Sequence, residues 1–107
     1  MNMNQFIKDT LSPTGVSVSY LTYTGSASQY IVFSYWSVPL AHADNKEIQS
    51  NITVQIDVFS SGNFTALVEE VKDRMIAAGF MKMLEDSGEY IEEANLFHKM
   101  MRFSYQT

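Results

Sequence analysis

The sequence predicts an α+β fold, with an antiparallel or mixed sheet of about four strands and two or three helices packed on one face. Several segments alternate apolar and polar residues, which is typical of strands, and two others carry apolar residues at helical spacing. The first three strand segments follow one another without a crossover helix, which favours antiparallel neighbours. The chain has 107 residues, so we expect a single domain over 1–107.

The first element is a short helix over residues 3–11, with Phe6, Ile7 and Leu11 loosely on one side. Pro13 and Gly15 follow it. Proline disfavours helical geometry in the residue before it, and glycine permits a turn, so residues 12–15 end this helix.

Two strands come next. Residues 16–23 alternate in the period-two pattern of a strand, and residues 29–38 are rich in β-branched and aromatic side chains. Small and polar residues occupy 24–28 between them. A hairpin is the simplest pairing of these two strands, and residues 39–46 then form a polar connection.

Residues 47–59 give the clearest strand signal. One face is apolar and predicts burial, whereas the other is mostly polar and predicts a surface turned to solvent or to another subunit. The apolar positions are Ile52, Val54, Ile56 and Val58, and the alternate positions are Thr53, Gln55, Asp57 and Phe59.

A second helix follows, with Asn63 as its predicted N-cap and Gly79 as the residue that ends it. Residues 80–84 form a possible further strand, residues 86–88 a turn, and residues 96–105 the last strand. The helix carries apolar residues at 3.6-residue spacing, namely Phe64, Leu67, Val68, Val71, Met75 and Ala78.

Charge and composition narrow the function. The formal net charge is −5, from 12 acidic and 7 scattered basic residues, which argues against binding to phosphate backbones as the main activity. The absence of cysteine excludes disulfides and thiolate metal sites. We find no signal peptide and no apolar run long enough to span a bilayer, so we expect a cytoplasmic protein that does not bind membranes.

No catalytic constellation is recognisable, so we expect neither enzyme activity nor a cofactor or metal. The chain has two histidines, and although His42 lies near Asp44, two ligands are too few for structural zinc. His98 is more typical of a packed or edge strand residue. Asp57 has no second carboxylate placed near it, and the acidic stretch 85–93 lacks the spacing of a calcium loop.

Short segments spread along the chain resemble one protein family when taken in order. They are Tyr30-Ile31-Val32-Phe33, Ala43-Asp44-Asn45, Val54-Gln55-Ile56-Asp57-Val58-Phe59, Ala78-Gly79-Phe80, Phe97-His98-Lys99 and Arg102-Phe103, together with the helix from Asn63 to Gly79. This set, covering about residues 11–105, resembles the tail-terminator, or tail-completion, proteins of long-tailed bacteriophages and prophages. One departure is Tyr90-Ile91, where members of the family often have Tyr-Glu.

The resemblance implies a structural role in head-to-tail joining. Such proteins cap the tail tube as a six-fold ring, contact the tail tube protein and the head connector protein, and let DNA pass without specific binding. It also implies assembly in the cytoplasm of a bacterial host and a final location in the virion tail. A monomer in solution is compatible with this role, because such rings can assemble only on their target.

A closed ring needs two different contact surfaces on each subunit. We expect these on the aromatic strand and on the polar face of the following strand, with Met100 as an adaptable contact. The predicted interface residues are Tyr35, Trp36, Gln55, Asp57 and Met100. An acidic channel lining is predicted from Glu85, Asp86, Glu89, Glu92 and Glu93.

Two other classes of function remain open. The chain could be a different phage morphogenesis protein, such as a tail tube subunit or a head–tail connector. It could also be a small ligand-binding or regulatory domain, with a pocket between the 63–79 helix and the sheet. An enzyme would require His98, His42 or Asp57 to converge in one cleft.

Overall fold

A computed structural model describes residues 2–39 and 50–106 of the chain. Pro39, the first residue of the predicted polar connection, is the last residue of a strand. The rest of that connection, which includes the Ala43-Asp44-Asn45 segment, and the first residues of the predicted third strand lie outside these ranges. The elements in chain order are α1 (Met3–Leu11), a short 3₁₀ turn (Ser12–Thr14), β1 (Ser17–Tyr20), β2 (Gln29–Pro39), β3 (Ser50–Ser60), α2 (Thr65–Ala77), β4 (Met81–Glu85), β5 (Glu89–Ile91) and β6 (Leu96–Gln106).

The strands form one mixed sheet in the order β1-β2-β3-β6-β4, and β5 also pairs with β6. The three long strands β2, β3 and β6 are antiparallel, and their central register aligns Phe33 with Ile56 and Ile56 with Met101. This arrangement confirms the predicted α+β class. The sheet has six strands instead of about four, and the described residues form two α-helices.

The predicted hairpin between the first two strands is wrong, because β1 and β2 are parallel. Parallel neighbours usually need a crossover of a dozen residues or more, but here residues 21–28 suffice. β1 has four residues, so the chain must return only about 13 Å, well within the reach of eight residues. Leu21 reverses the chain with a positive φ of 70°, and the amide of Ser61 donates to Ser28 O at 2.9 Å.

Both helices pack on the same face of the sheet and form one core with it. Helix α1 contributes Met3, Ile7 and Leu11, which are one helical turn apart. Each buried apolar side chain of this kind contributes about 1.5–3 kcal/mol relative to an exposed one. The other buried residues are Ile31 and Phe33 of β2, Val54, Ile56 and Val58 of β3, Leu67, Val68, Val71 and Met75 of α2, Phe80, and Met101 and Phe103 of β6.

The predicted ends of α2 are close to those observed. Asn63 Oδ1 accepts the amide of Thr65 at 2.8 Å, one position before Phe64, which is the N-cap. Gly79 has a φ of 104° and ends the helix as predicted. The amides of Gly79 and Phe80 each donate at 3.0 Å, to Ile76 O and Met75 O respectively. These two bonds form a Schellman motif, whose left-handed residue favours glycine.

β4 and β5 together accompany β6 along one edge of the sheet, and β5 was not predicted. The turn between them is held by Asp86, whose amide donates to Met100 O at 3.0 Å. Its Oδ1 accepts the amides of Met100 at 3.1 Å and Gly88 at 3.0 Å. Within residues 2–39 and 50–106, neither helix is long and apolar enough to cross a membrane.

Candidate functional site

The face of the sheet opposite the helices carries the polar and aromatic residues of the three long strands. Both helices contribute to the core on the other face, and the alternation of each strand sends every second side chain here. We call this surface the open face. Its residues are Tyr30, Val32, Ser34, Trp36 and Val38 of β2, Thr53, Gln55, Asp57 and Phe59 of β3, and His98, Met100, Arg102 and Ser104 of β6.

A row of four stacked rings crosses one end of the open face. Tyr30, Phe59 and His98 are direct cross-strand partners, and Tyr23, from the loop after β1, adds a fourth ring. The ring centroids are 4.0, 4.8 and 4.6 Å apart along the row, and neighbouring planes differ by 17°, 17° and 15°. Each such pair contributes about 0.5–1.5 kcal/mol beyond area burial, so the row holds the loop and three strands together.

His98 lies between two carboxylates from different strands. Its Nε2 is 2.7 Å from Asp57 Oδ1 on β3, and its Nδ1 is 2.9 Å from Glu89 Oε2 on β5. A carboxylate only accepts hydrogen bonds, so satisfying both contacts requires a proton on each nitrogen, which is the imidazolium form. Burial lowers the pKa of His98, but hydrogen bonds and charge attraction from Glu89 and Asp57 outweigh burial and leave the pKa raised.

The hydrogen bonds continue from Asp57 across the open face. Gln55 donates its Nε2 to Asp57 Oδ2 at 3.2 Å and accepts Nε of Arg102 at 3.0 Å. The guanidinium carbon of Arg102 lies 5.4 Å from the ring centroid of Trp36, a cation–π contact. The open face therefore carries one connected polar and aromatic network from Tyr23 to Trp36.

The polar atoms of His98 and Asp57 are held by hydrogen bonds within the protein, through both nitrogens of His98 and both oxygens of Asp57. His98 and Asp57 form part of the wall of a shallow hollow of about 400 Å³, together with Val32, the 21–23 loop and the rings of Tyr30 and Phe59. In residues 2–39 and 50–106 no group of three His, Asp or Glu side chains has an arrangement that could hold a metal ion.

The structure places four of the five predicted interface residues on the open face, namely Trp36, Gln55, Asp57 and Met100. Tyr35 lies on the opposite face, where its ring contacts those of Tyr20 and Phe33 at 5.4 and 6.4 Å. Neighbouring residues of a strand point to opposite faces, so Tyr35 and Trp36 belong to different surfaces. Two separate interface surfaces were expected from sequence, one on the aromatic strand and one on the polar face of the following strand. In the structure Trp36 and Gln55 belong to one surface, the open face.

The five predicted channel residues fall into separate environments. Glu85 accepts from Lys72 at 3.3 Å, from Lys99 at 2.8 Å and from Lys82. Hydrogen bonds from Lys82 first, and then from Lys99, lower the pKa of Glu85 to about 2. Asp86 holds the β4–β5 turn and Glu89 contacts His98, as described above. Glu92 and Glu93 are exposed in the turn before β6.

Two further features concern the alternative functions, an enzyme and a ligand-binding domain. His42 and Asp44 lie outside the described residues, whereas His98 and Asp57 meet at the hollow beside the row of rings. Their convergence was named as a requirement for an enzyme, but the sequence could not show that the two residues meet. The two residues are 41 positions apart in the sequence. The only signal of their contact was that the alternation of each strand places both side chains on the same face of the sheet.

Near the first turn of α2, an open groove of about 610 Å³ is lined by Phe64, Tyr90, Phe97 and the glycine turns beside them.

No known protein family and no curated protein sequence matches this chain. Among solved structures, a chain from the virion of a native gene transfer agent particle has a similar fold, with a TM-score of 0.64 and 12% sequence identity. The match covers 96% of this chain and 89% of that chain. The likeness therefore extends over essentially the whole length of both chains, and it establishes that the two share a fold.

Proposed function

We propose that this chain is a structural protein of a phage-type particle. The observation that carries the proposal is the whole-length likeness to a virion chain, with 96% of this chain covered. The open face also supports it, because a connected surface whose polar groups are already paired suits contact with other proteins better than turnover of a substrate.

Within that class, we propose the tail terminator. The ordered segments between about residues 11 and 105 resemble that family, and a ring of six copies on the end of the tail tube would present one side to the tube and the other to the head connector. The net charge of −5 suits a channel through which DNA passes without binding. Glu92 and Glu93 are the exposed candidates to line that channel.

The test is electron microscopy of particles from a producing strain in which the gene for this chain is disrupted. We expect filled heads beside separate tails, with tails of uncontrolled length, because the tube lacks its stop. Complementation with the unchanged gene is the matched control and should restore joined particles. Normal infectious particles in the disrupted strain would refute a structural role.

The same experiment separates the terminator from its nearest alternatives. Heads without any tails would assign the chain to the tube or to initiation of tail assembly. The purified chain gives a second criterion, since a tube subunit polymerises into long tubes by itself and a terminator does not. Long tubes in negative stain would therefore contradict the terminator and leave the broader virion role standing.

A further inference from the structure

Two opposite edges of the sheet are unpaired among the described strands. β1 forms one edge, and β4, with β5 beyond it along β6, forms the other; none of the three has a second partner in the sheet order. An unpaired edge presents a row of backbone N–H and C=O groups that can add another strand. A protein that works alone usually protects such edges with charge, proline or a covering element.

β4 is poorly protected. Its first four residues, 81–84, are exposed, and Met81 and Met83 have exposed fractions of 69% and 53%. Leu84 is also exposed. The charges of Lys82 and Glu85 are paired with each other, so they do little to repel an incoming strand.

β1 is unprotected in a different way. Its four residues, Ser17 to Tyr20, include no charge and no proline. Tyr20 is partly exposed, and Leu21 directly after it is 62% exposed. The two edges are therefore both short, both free of unpaired charge and both bordered by exposed apolar side chains, which makes them compatible with each other.

Strand direction decides how two copies could meet. β1 runs parallel to β2, and three successive antiparallel pairings lead from β2 to β4. β4 therefore runs opposite to β1. A second copy placed beside the first, continuing the sheet, would bring its β1 against β4 in antiparallel orientation. Such a contact joins two different surfaces, so it is heterologous and closes into a ring when the rotation allows.

We propose that β1 of one copy pairs antiparallel with β4 of the next copy, so that the sheets join edge to edge around the ring. This inference rests on the proposed terminator function, because the ring of copies is part of that proposal. Strands of four and five residues bury less than the ~800 Å² per partner of stable complexes. We therefore expect the contact to hold in the closed ring on a particle and to be weak between two free copies.

Cysteine cross-linking tests the contact directly, because the chain contains no cysteine. Ser17 and Ser19 lie on the open-face side of β1, and Met81 and Leu84 lie on the same side of β4. Each serine→Cys change is combined with each β4 change (Met81→Cys or Leu84→Cys), and particles are oxidised and analysed on denaturing gels. We expect at least one combination to give a ladder that ends at the ring size, whereas each single variant gives at most dimers.

A matched pair, Asp9→Cys with Asp73→Cys, places two exposed cysteines on the two helices, outside both edge strands, and should give no ladder. All four double-cysteine variants could remain monomeric in particles while gene disruption still separates heads from tails. That result would overturn the edge contact and leave the terminator function standing. A ladder together with normal particles after disruption would support the contact and refute the terminator.

A charge variant gives an independent readout. Met81→Lys adds a charge at an exposed edge position, so the fold should persist, as measured by circular dichroism, and joined particles should fall at least tenfold. Ala66→Lys adds the same charge at an exposed position of α2 and should leave the particle count unchanged. Full particle yield from a folded Met81→Lys chain would count against β4 as the contact edge.

Discussion

The contact of His98 with two carboxylates gives a stability prediction that can be worked out from geometry. We consider His98→Gln, which removes both charge-assisted hydrogen bonds and the stack on Phe59. The bond to Asp57, between side chains that are each 17% exposed, contributes about 1.5–3 kcal/mol. Glu89 is 62% exposed, so its contact adds at most about 1 kcal/mol. With the lost ring stack, the variant should be destabilised by about 2–5 kcal/mol at pH 6.

The destabilisation should depend on pH. Because the pKa of His98 is raised above its ordinary value of 6.5, its stabilisation is fully present below pH 6.5 and is lost as pH rises through the raised folded-state pKa. Neutral imidazole donates from one nitrogen only, so one carboxylate contact is lost. We therefore expect the difference in unfolding free energy between wild type and His98→Gln to shrink by about 1 kcal/mol by pH 9.

The assay is urea unfolding followed by circular dichroism, at several pH values from 5.5 to 9. His42 is present in both proteins, so the comparison cancels its contribution. Glu89→Gln is the matched control and should cost less than about 1 kcal/mol, because that carboxylate is largely solvated. Parallel pH dependence of wild type and His98→Gln would refute the assignment of a doubly donating imidazolium.

Two further predictions concern the edge of the sheet near β5. Glu85 has a pKa lowered to about 2, so its stabilisation is present above its ordinary pKa of 4.5 and is lost as pH falls towards 2. Glu85→Gln should therefore cost about 1–3 kcal/mol at pH 7 and have little effect at pH 2, measured by thermal unfolding at both pH values. Gly88 has a φ of 91°, and an added Cβ would lie 3.0 Å from the ring of Phe64. Gly88→Ala should cost about 1–3 kcal/mol, whereas Gly62→Ala, with no atom within 4 Å of its Cβ, should change the free energy of unfolding by less than about 0.5 kcal/mol.

Local periodicity predicted most of the elements but not all of their pairings. Helix α1 has the predicted bounds, and β2, α2 and β6 lie within two residues of theirs, because alternation and helical spacing are properties of neighbouring residues. The pairing of β1 with β2 depends instead on where residues 21–28 lead the chain. β5 has only three residues, too few for a period to show.

The candidate site was less accessible to sequence reasoning for a related reason. Alternation put Gln55 on the polar face of its strand, whereas Tyr35 and Trp36 were expected on one face and lie on opposite ones. The register between strands then brought Asp57 to His98 across 41 positions of sequence. Register is set by the sheet as a whole, so a single sequence gives the faces of each strand without showing which residues meet on them.

The position of Trp36 gives the open face its own optical probe. The chain has one tryptophan, and that side chain is 41% exposed beneath the guanidinium of Arg102. All indole emission from this protein therefore originates on the surface that carries the polar network, and none comes from the core. Binding of another subunit over that surface would shift the emission to shorter wavelength as water leaves the ring, whereas binding at the helices would leave the spectrum unchanged. An unlabelled sample can thus report which face is covered while assembly proceeds.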